Sequence, residues 1–103
     1  MKKKNKRLVC ADGFSMSIQA NNGAYCSPRN DEGPYHEVEI GYPNMVEFLI
    51  LPYAEDELNP SNTVYSYVPS EIVLEVILKH GGFIDGELPR MEMGLSKNYM
   101  EWK

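Results

Sequence analysis

Ser70-Glu71-Ile72-Val73-Leu74-Glu75-Val76-Ile77-Leu78-Lys79-His80-Gly81-Gly82 carries the clearest structural signal in the chain. Ile72, Val73, Val76 and Ile77 recur at helical spacing, and Leu74 and Leu78 widen that apolar stripe. Ser70 is a favoured N-cap, and Glu71 sits in the first turn, where the helix dipole favours an acid. Lys79 and His80 close the last turn with positive charge, and two glycines stop the helix. The pattern predicts one helix from about Glu71 to His80, lying on a sheet.

The sheet is predicted from the segments upstream. Leu8 to Ala20 reads as a hairpin turned at Ala11-Asp12-Gly13, because Phe14, Met16, Ile18 and Ala20 alternate with Ser15, Ser17 and Gln19. Asn21-Asn22-Gly23 reverses the chain again, and Ala24 to Tyr35, dense in turn formers, reads as the longest loop. Tyr35 to Tyr42 is a strand with His36, Val38 and Ile40 on one face and Glu37 and Glu39 on the other. Val46 to Tyr53 reads as a second apolar strand, central because Phe48-Leu49-Ile50-Leu51 is unbroken. An acidic turn over 55–62 then leads into a strand over Thr63 to Val68, closed by Pro69. Phe83 to Pro89 returns along the surface with a turn at Asp85-Gly86. Residues 90–103 hold three methionines, Tyr99 and Trp102 without a period and receive no assignment. The fold class is α+β: a small antiparallel sheet with one helix in the C-terminal half.

At 103 residues there is room for one core, so residues 8–103 form the expected domain and 1–7 a basic flexible tail. That tail holds five of the ten basic residues; from Leu8 onward five bases face fifteen acids, a balance of −10. Such a body repels phosphate backbones, which argues against duplex DNA as a partner. No apolar run approaches membrane-spanning length and no signal-peptide core follows the basic start, so a cytoplasmic protein without membrane contact is expected. Cys10 and Cys26 match no disulfide, redox or zinc spacing and read as reduced core thiols.

Phosphate-binding glycine loops and nucleophile elbows are missing from the sequence, which gives nucleotide hydrolysis and serine-hydrolase chemistry no support. Nor does any motif call for a cofactor or metal. His36 and His80 fall in no ligand spacing, and His80 reads as a cation at a helix C-terminus. A Cys26 and His36 pair flanks the loop as a candidate nucleophile and base, but neither a helix N-terminus nor a family signature surrounds Cys26. Glu37 and Glu39 project about 7 Å apart, a spacing compatible with acid-base work and equally with a solvated strand face.

Two surfaces are candidates for binding. The loop places Arg29, Asn30 and Asp31 between Tyr25 and Tyr35, a polar pocket with stacking walls for an anionic or planar ligand, or merely a set of turn residues. Tyr65 and Tyr67, from a total of seven tyrosines, share one strand face as an amphipathic contact surface, or line the rim of the core.

Several of these segments resemble a family of small uncharacterised bacteriophage and prophage proteins. The resemblance rests on Val9-Cys10-Ala11-Asp12-Gly13-Phe14-Ser15-Met16-Ser17-Ile18-Gln19-Ala20, Tyr25-Cys26-Ser27-Pro28-Arg29-Asn30-Asp31, Val38-Glu39-Ile40-Gly41-Tyr42-Pro43, Asn59-Pro60-Ser61-Asn62-Thr63-Val64-Tyr65 and the ending Lys79-His80-Gly81-Gly82. It covers about Leu8 to Gly82. It implies a viral accessory protein acting inside an infected bacterium and transfers no activity.

The leading expectation is therefore a non-enzymatic accessory protein that binds a host component, such as a defence-system protein, through its acidic, tyrosine-rich surface. Carboxylates in regular array can occupy a site built for nucleic acid. The alternatives are a protein that sequesters a nucleotide-like ligand near Arg29, and a small enzyme using Cys26 or His36. Oligomeric state stays open, although a monomer exposing Tyr65, Tyr67 and Trp102 together would invite association.

Overall fold

In the computed structural model, which describes residues 4–92, five antiparallel strands and one helix enclose a single apolar core. The strands are β1 (Leu8–Cys10), β2 (Ser15–Gln19), β3 (Glu37–Gly41), β4 (Val64–Pro69) and β5 (Phe83–Asp85), and the helix is α1 (Ser70–Lys79). The sheet order is β4-β3-β2-β1-β5. The first four strands form a meander, and α1 carries the chain from one edge to the other, where β5 pairs with β1.

The hairpin alternation is reproduced in the packing. Phe14, Met16, Ile18 and Ala20 are buried, joined from β1 by Leu8 and Cys10 and from β3 by Val38 and Ile40. The helix adds Val73, Val76 and Ile77 to the same core, and Ile72 packs at its margin. Leu74 and Leu78, expected to widen the stripe, are exposed. The buried arc is too narrow to include them.

Each end of the helix has its own cause. Gly81 and Gly82 take φ of +91° and +85°; Gly82 N donates to Ile77 O at 2.8 Å and Gly81 N to Leu78 O at 3.1 Å. This is the paired closure that left-handed glycines make after a helix. Ser70 is not the N-cap. It is the first helical residue, preceded by Pro69 directly out of β4, and its hydroxyl donates instead to Tyr35 O at 2.9 Å. The backbone of Ser70 also donates to His36 O, so the strand-to-helix junction is fastened to the segment leading into β3.

The expected strand over Val46 to Tyr53 does not form. Residues 48–50 are a turn and Leu51–Tyr53 a short 3-10 helix with Pro52 near its start. β3 already pairs with β4, Gly41 opposite Val64, so no place remains between them for another strand. Of the apolar run only Ile50 is fully buried, Leu49 and Leu51 are half-buried and Phe48 is exposed. An unbroken apolar run does not distinguish a central strand from a turn that buries one residue.

Two smaller departures affect the edges. Phe83–Asp85, expected as a surface return, is the edge strand β5. Asn5, Lys6 and Arg7, expected in the tail, are tied down: Asn5 bonds Gln19 and Ile18, Lys6 pairs with Asp85, and Arg7 donates to Ser15 Oγ and to Tyr42 O. The composition of 93–103, with Tyr99 and Trp102, lies outside the described residues.

β5 is held close to the N-terminal segment by Gly86. A Cβ at this position, with φ at +103°, would lie 2.3 Å from Arg7 O and 2.5 Å from Leu8 Cα. Gly86→Ala is therefore expected to detach β5 while leaving the meander folded, because the clash is with backbone and cannot be relieved by a side-chain rotation. Hydrogen exchange resolved by residue is the check: faster exchange confined to β5 and β1 is expected, and unchanged protection there would contradict the packing.

Candidate functional site

The outward face of the sheet brings together some of the residues singled out in the sequence and separates others. Tyr25 and Tyr67 stand side by side, their ring centroids 6.2 Å apart and tilted by 43°. The Arg29 guanidinium lies 5.7 Å from the Tyr25 ring centroid, within cation-π range. Tyr67 N donates to Tyr25 O at 3.1 Å, and Tyr25 N donates to Glu39 Oε1 at 2.9 Å. Two tyrosines, one arginine and one carboxylate thus come from the loop, β3 and β4 into one patch. Tyr25 is 40% and Tyr67 41% exposed.

A bulge creates this patch. Val38 pairs with Val68 and Ile40 with Tyr65, so two steps along β3 correspond to three along β4. Tyr67 sits within the bulge at φ of +54°, a left-handed conformation that is costly for an aromatic residue. The added residue breaks the alternation: Tyr65 and Tyr67, expected on one face, fall on opposite sides. Tyr65 is 0% exposed, with its hydroxyl donating to Pro60 O, and is a core residue rather than a contact residue. Among the described residues the other non-glycine residue with positive φ is also an exposed tyrosine, Tyr42 at +52°.

The rest of the proposed loop pocket is occupied by the loop itself. Asn30 Oδ1 accepts from the backbone of Glu32 and Gly33, and Asp31 Oδ1 from the backbone of Asn22. Tyr35 is buried, its hydroxyl donates to Asn30 O, and burial raises its phenol above the ordinary value. Tyr35 is therefore a prop for the loop rather than the outer wall of a pocket. Glu37 is half-buried on the same strand face as Glu39 and pairs through its backbone with Ser27.

Cys26 and His36 do not form an activated pair. The Cys26 thiol is buried and donates to Asn21 O at 3.2 Å, and burial raises its pKa, which disfavours the thiolate. His36 is exposed and its Nε2 lies 3.2 Å from Ser27 Oγ. Among the described residues no carboxylate hydrogen-bonds that ring, so the support of a Ser-His-Asp arrangement is missing.

A buried charge cluster that no sequence motif announces lies elsewhere among the described residues. His80, only 8% exposed, has Nδ1 at 2.6 Å from Asp12 Oδ2 and Nε2 at 2.6 Å from Glu47 Oε1. Lys79 Nζ donates to Glu47 Oε2 at 3.0 Å, and the Phe14 ring stacks on the imidazole at a centroid distance of 4.2 Å. Glu47 is 1% exposed and also accepts from Leu49 N. Burial opposes a charge on His80, yet hydrogen bonds to Glu47 and Asp12, with their charges, outweigh it and raise its pKa. Burial likewise opposes the Glu47 carboxylate, but the Leu49 amide, His80 and Lys79 together hold its pKa below the ordinary value. Asp12 is lowered, first by the Phe14 amide and then by His80.

The helix closure positions this cluster. Ala11 N donates to Gly82 O and Asp12 N to His80 O, which brings the hairpin turn against the end of α1. The only sequence signal available was a histidine and lysine at a helix end, with a lone glutamate inside an apolar run. Spacing cannot relate residues 12, 47 and 80. The two carboxylates approach the ring from opposite nitrogens and do not converge on a common point. Among the described residues no group of three or more histidine, cysteine or acidic side chains is arranged to hold a metal ion, and no helix is long and apolar enough to cross a membrane.

No family model, curated protein or solved structure matches this chain.

Proposed function

We propose that this chain is a non-enzymatic binding protein that docks another protein on the Tyr25, Arg29, Glu39 and Tyr67 patch. The observation that carries this reading is Tyr67: a large aromatic side chain on the surface, held in a left-handed backbone next to a second exposed tyrosine. Backbone strain at an exposed residue is retained where the surroundings enforce it, and such strain clusters at ligand clamps and binding sites. Tyrosine and arginine are also the residues that dominate interface energies, through rigid area and planar hydrogen bonding. Glu39 and Glu37 add negative charge beside them, in a body whose balance from Leu8 onward is −10. A basic partner surface is the electrostatic complement. The resemblance to phage proteins makes a host component, including one of a defence system, the partner class to search first.

Tyr67→Gly separates binding from folding. It removes the ring and relieves the left-handed backbone, so stability is expected to hold or to rise by about 1 kcal/mol, while partner capture is lost. Affinity capture from a bacterial lysate, at low and then raised salt, should recover a protein with the wild type that is missing with Tyr67→Gly and with Arg29→Ala. The same protein recovered equally by all three would exclude the patch. A small molecule retained in native mass spectra and lost on Arg29→Ala would replace this reading with a ligand-sequestering one.

A further inference from the structure

We infer that His80 is a proton-operated clasp that adds a side-chain tie to the backbone bonds holding the turn between β1 and β2 against the C-terminal end of α1, and that loss of its proton releases the Asp12 carboxylate. The geometry carries this. Both ring nitrogens lie 2.6 Å from carboxylate oxygens, so both contacts are hydrogen bonds only if the ring carries two protons. A neutral ring has one N–H and must leave one carboxylate facing a lone pair.

The two carboxylates are not equivalent. Glu47 is enclosed, and water cannot replace His80 as its partner without moving the segment around it. The Asp12 side chain is 48% exposed, so water can replace His80 at Oδ2 while Oδ1 keeps the Phe14 amide. The single remaining proton therefore stays on Nε2, toward Glu47, and Asp12 lets go. Lys79 from the helix pairs with Glu47 and supports that carboxylate, and on the Asp12 side the Cys10 thiol of β1 is held in its neutral form by burial and then by the Asp12 charge. Phe14 covers the ring face, and its attraction to a cation ends with the charge.

The pH dependence follows from the signs. The folded-state pKa of His80 is raised above 6.5, so its contribution to stability is complete below that pH and is lost as pH rises through the raised value. The carboxylates of Asp12 and Glu47 are lowered from 3.8 and 4.5, so theirs is complete above those values and is lost as pH falls. Thermal stability should be greatest between these limits, and the clasp should open on the alkaline side.

Nuclear magnetic resonance on the wild-type chain tests this without requiring a variant to fold. At pH 6 both ring nitrogens of His80 are expected to carry protons. Above pH 6.5 the Nδ1 proton is expected to be lost first, with the Asp12 carboxyl resonance moving in the same titration. Asp12→Asn, at an exposed position, should lower the His80 midpoint and abolish the pH-dependent change in the turn. A ring with one proton at pH 6, or an Asp12 resonance that ignores the His80 titration, would overturn the clasp. Loss of the Nε2 proton first would overturn the assignment of the released side.

Discussion

Glu47→Ala is expected to lower the unfolding free energy by about 3–5 kcal/mol, because it leaves a buried imidazolium without one of its two partners. The carboxylate is 1% exposed and serves three donors: His80 Nε2, Lys79 Nζ and the backbone of Leu49. Removing it leaves His80 with Asp12 alone, frees Lys79 and removes the side-chain bond to the turn over 48–50 at once. In a domain of this size each kcal/mol shifts the midpoint by about 4–8 °C, so a fall in Tm of at least about 12 °C should appear in a calorimetric scan. Glu57, in the exposed acidic turn, is the control, and its replacement by Ala should stay within about 0.5 kcal/mol. Equal effects at positions 47 and 57 would mean that the cluster does not organise the fold.

Tyr65→Ala should cost a similar amount, about 3–5 kcal/mol, by opening a cavity where a fully buried ring now packs. Tyr65→Phe isolates the hydroxyl. It keeps the ring but leaves Pro60 O without its donor, at a cost of about 1 kcal/mol. Urea unfolding of the two variants gives both numbers from shifts in midpoint at constant slope. If both changes were silent, Tyr65 would face solvent and the bulge that separates it from Tyr67 would be wrong. The contrast with Tyr67→Gly is sharp: two tyrosines two residues apart, one whose loss strongly destabilises the fold and one whose loss spares it.

The same two tyrosines show why the site was only partly legible. Strand alternation assigns residues i and i+2 to one face, and that rule holds for Val38 and Ile40, both buried, and for Glu37 and Glu39, both half-buried. On β4 a single inserted residue breaks it, and no residue type in Val64-Tyr65-Ser66-Tyr67-Val68 announces a bulge. Tyr25 and Arg29 are legible as binding candidates because a turn-rich loop presents its side chains. Their neighbour in space turned out to be Tyr67 rather than Tyr35, since the Tyr35 hydroxyl is used to brace Asn30.

What the sequence determined by itself was local: the β1 to β2 hairpin with its buried alternation, the helix stripe of Val73, Val76 and Ile77, and the glycine pair that ends it. Each depends on periodicity or on backbone freedom, properties that reside in a few consecutive residues. The tertiary structure alone decided the rest. It folded the Phe48 to Leu51 run into a turn and the start of a 3-10 helix because β3 and β4 already occupied each other's edges, and it recruited Phe83–Asp85 as the fifth strand. It also joined Asp12, Glu47 and His80, residues 35 and 33 positions apart along the chain, around one imidazole ring. A buried charge is tolerated only where opposite charges are brought to it, and which ones arrive is settled by the packing of distant segments.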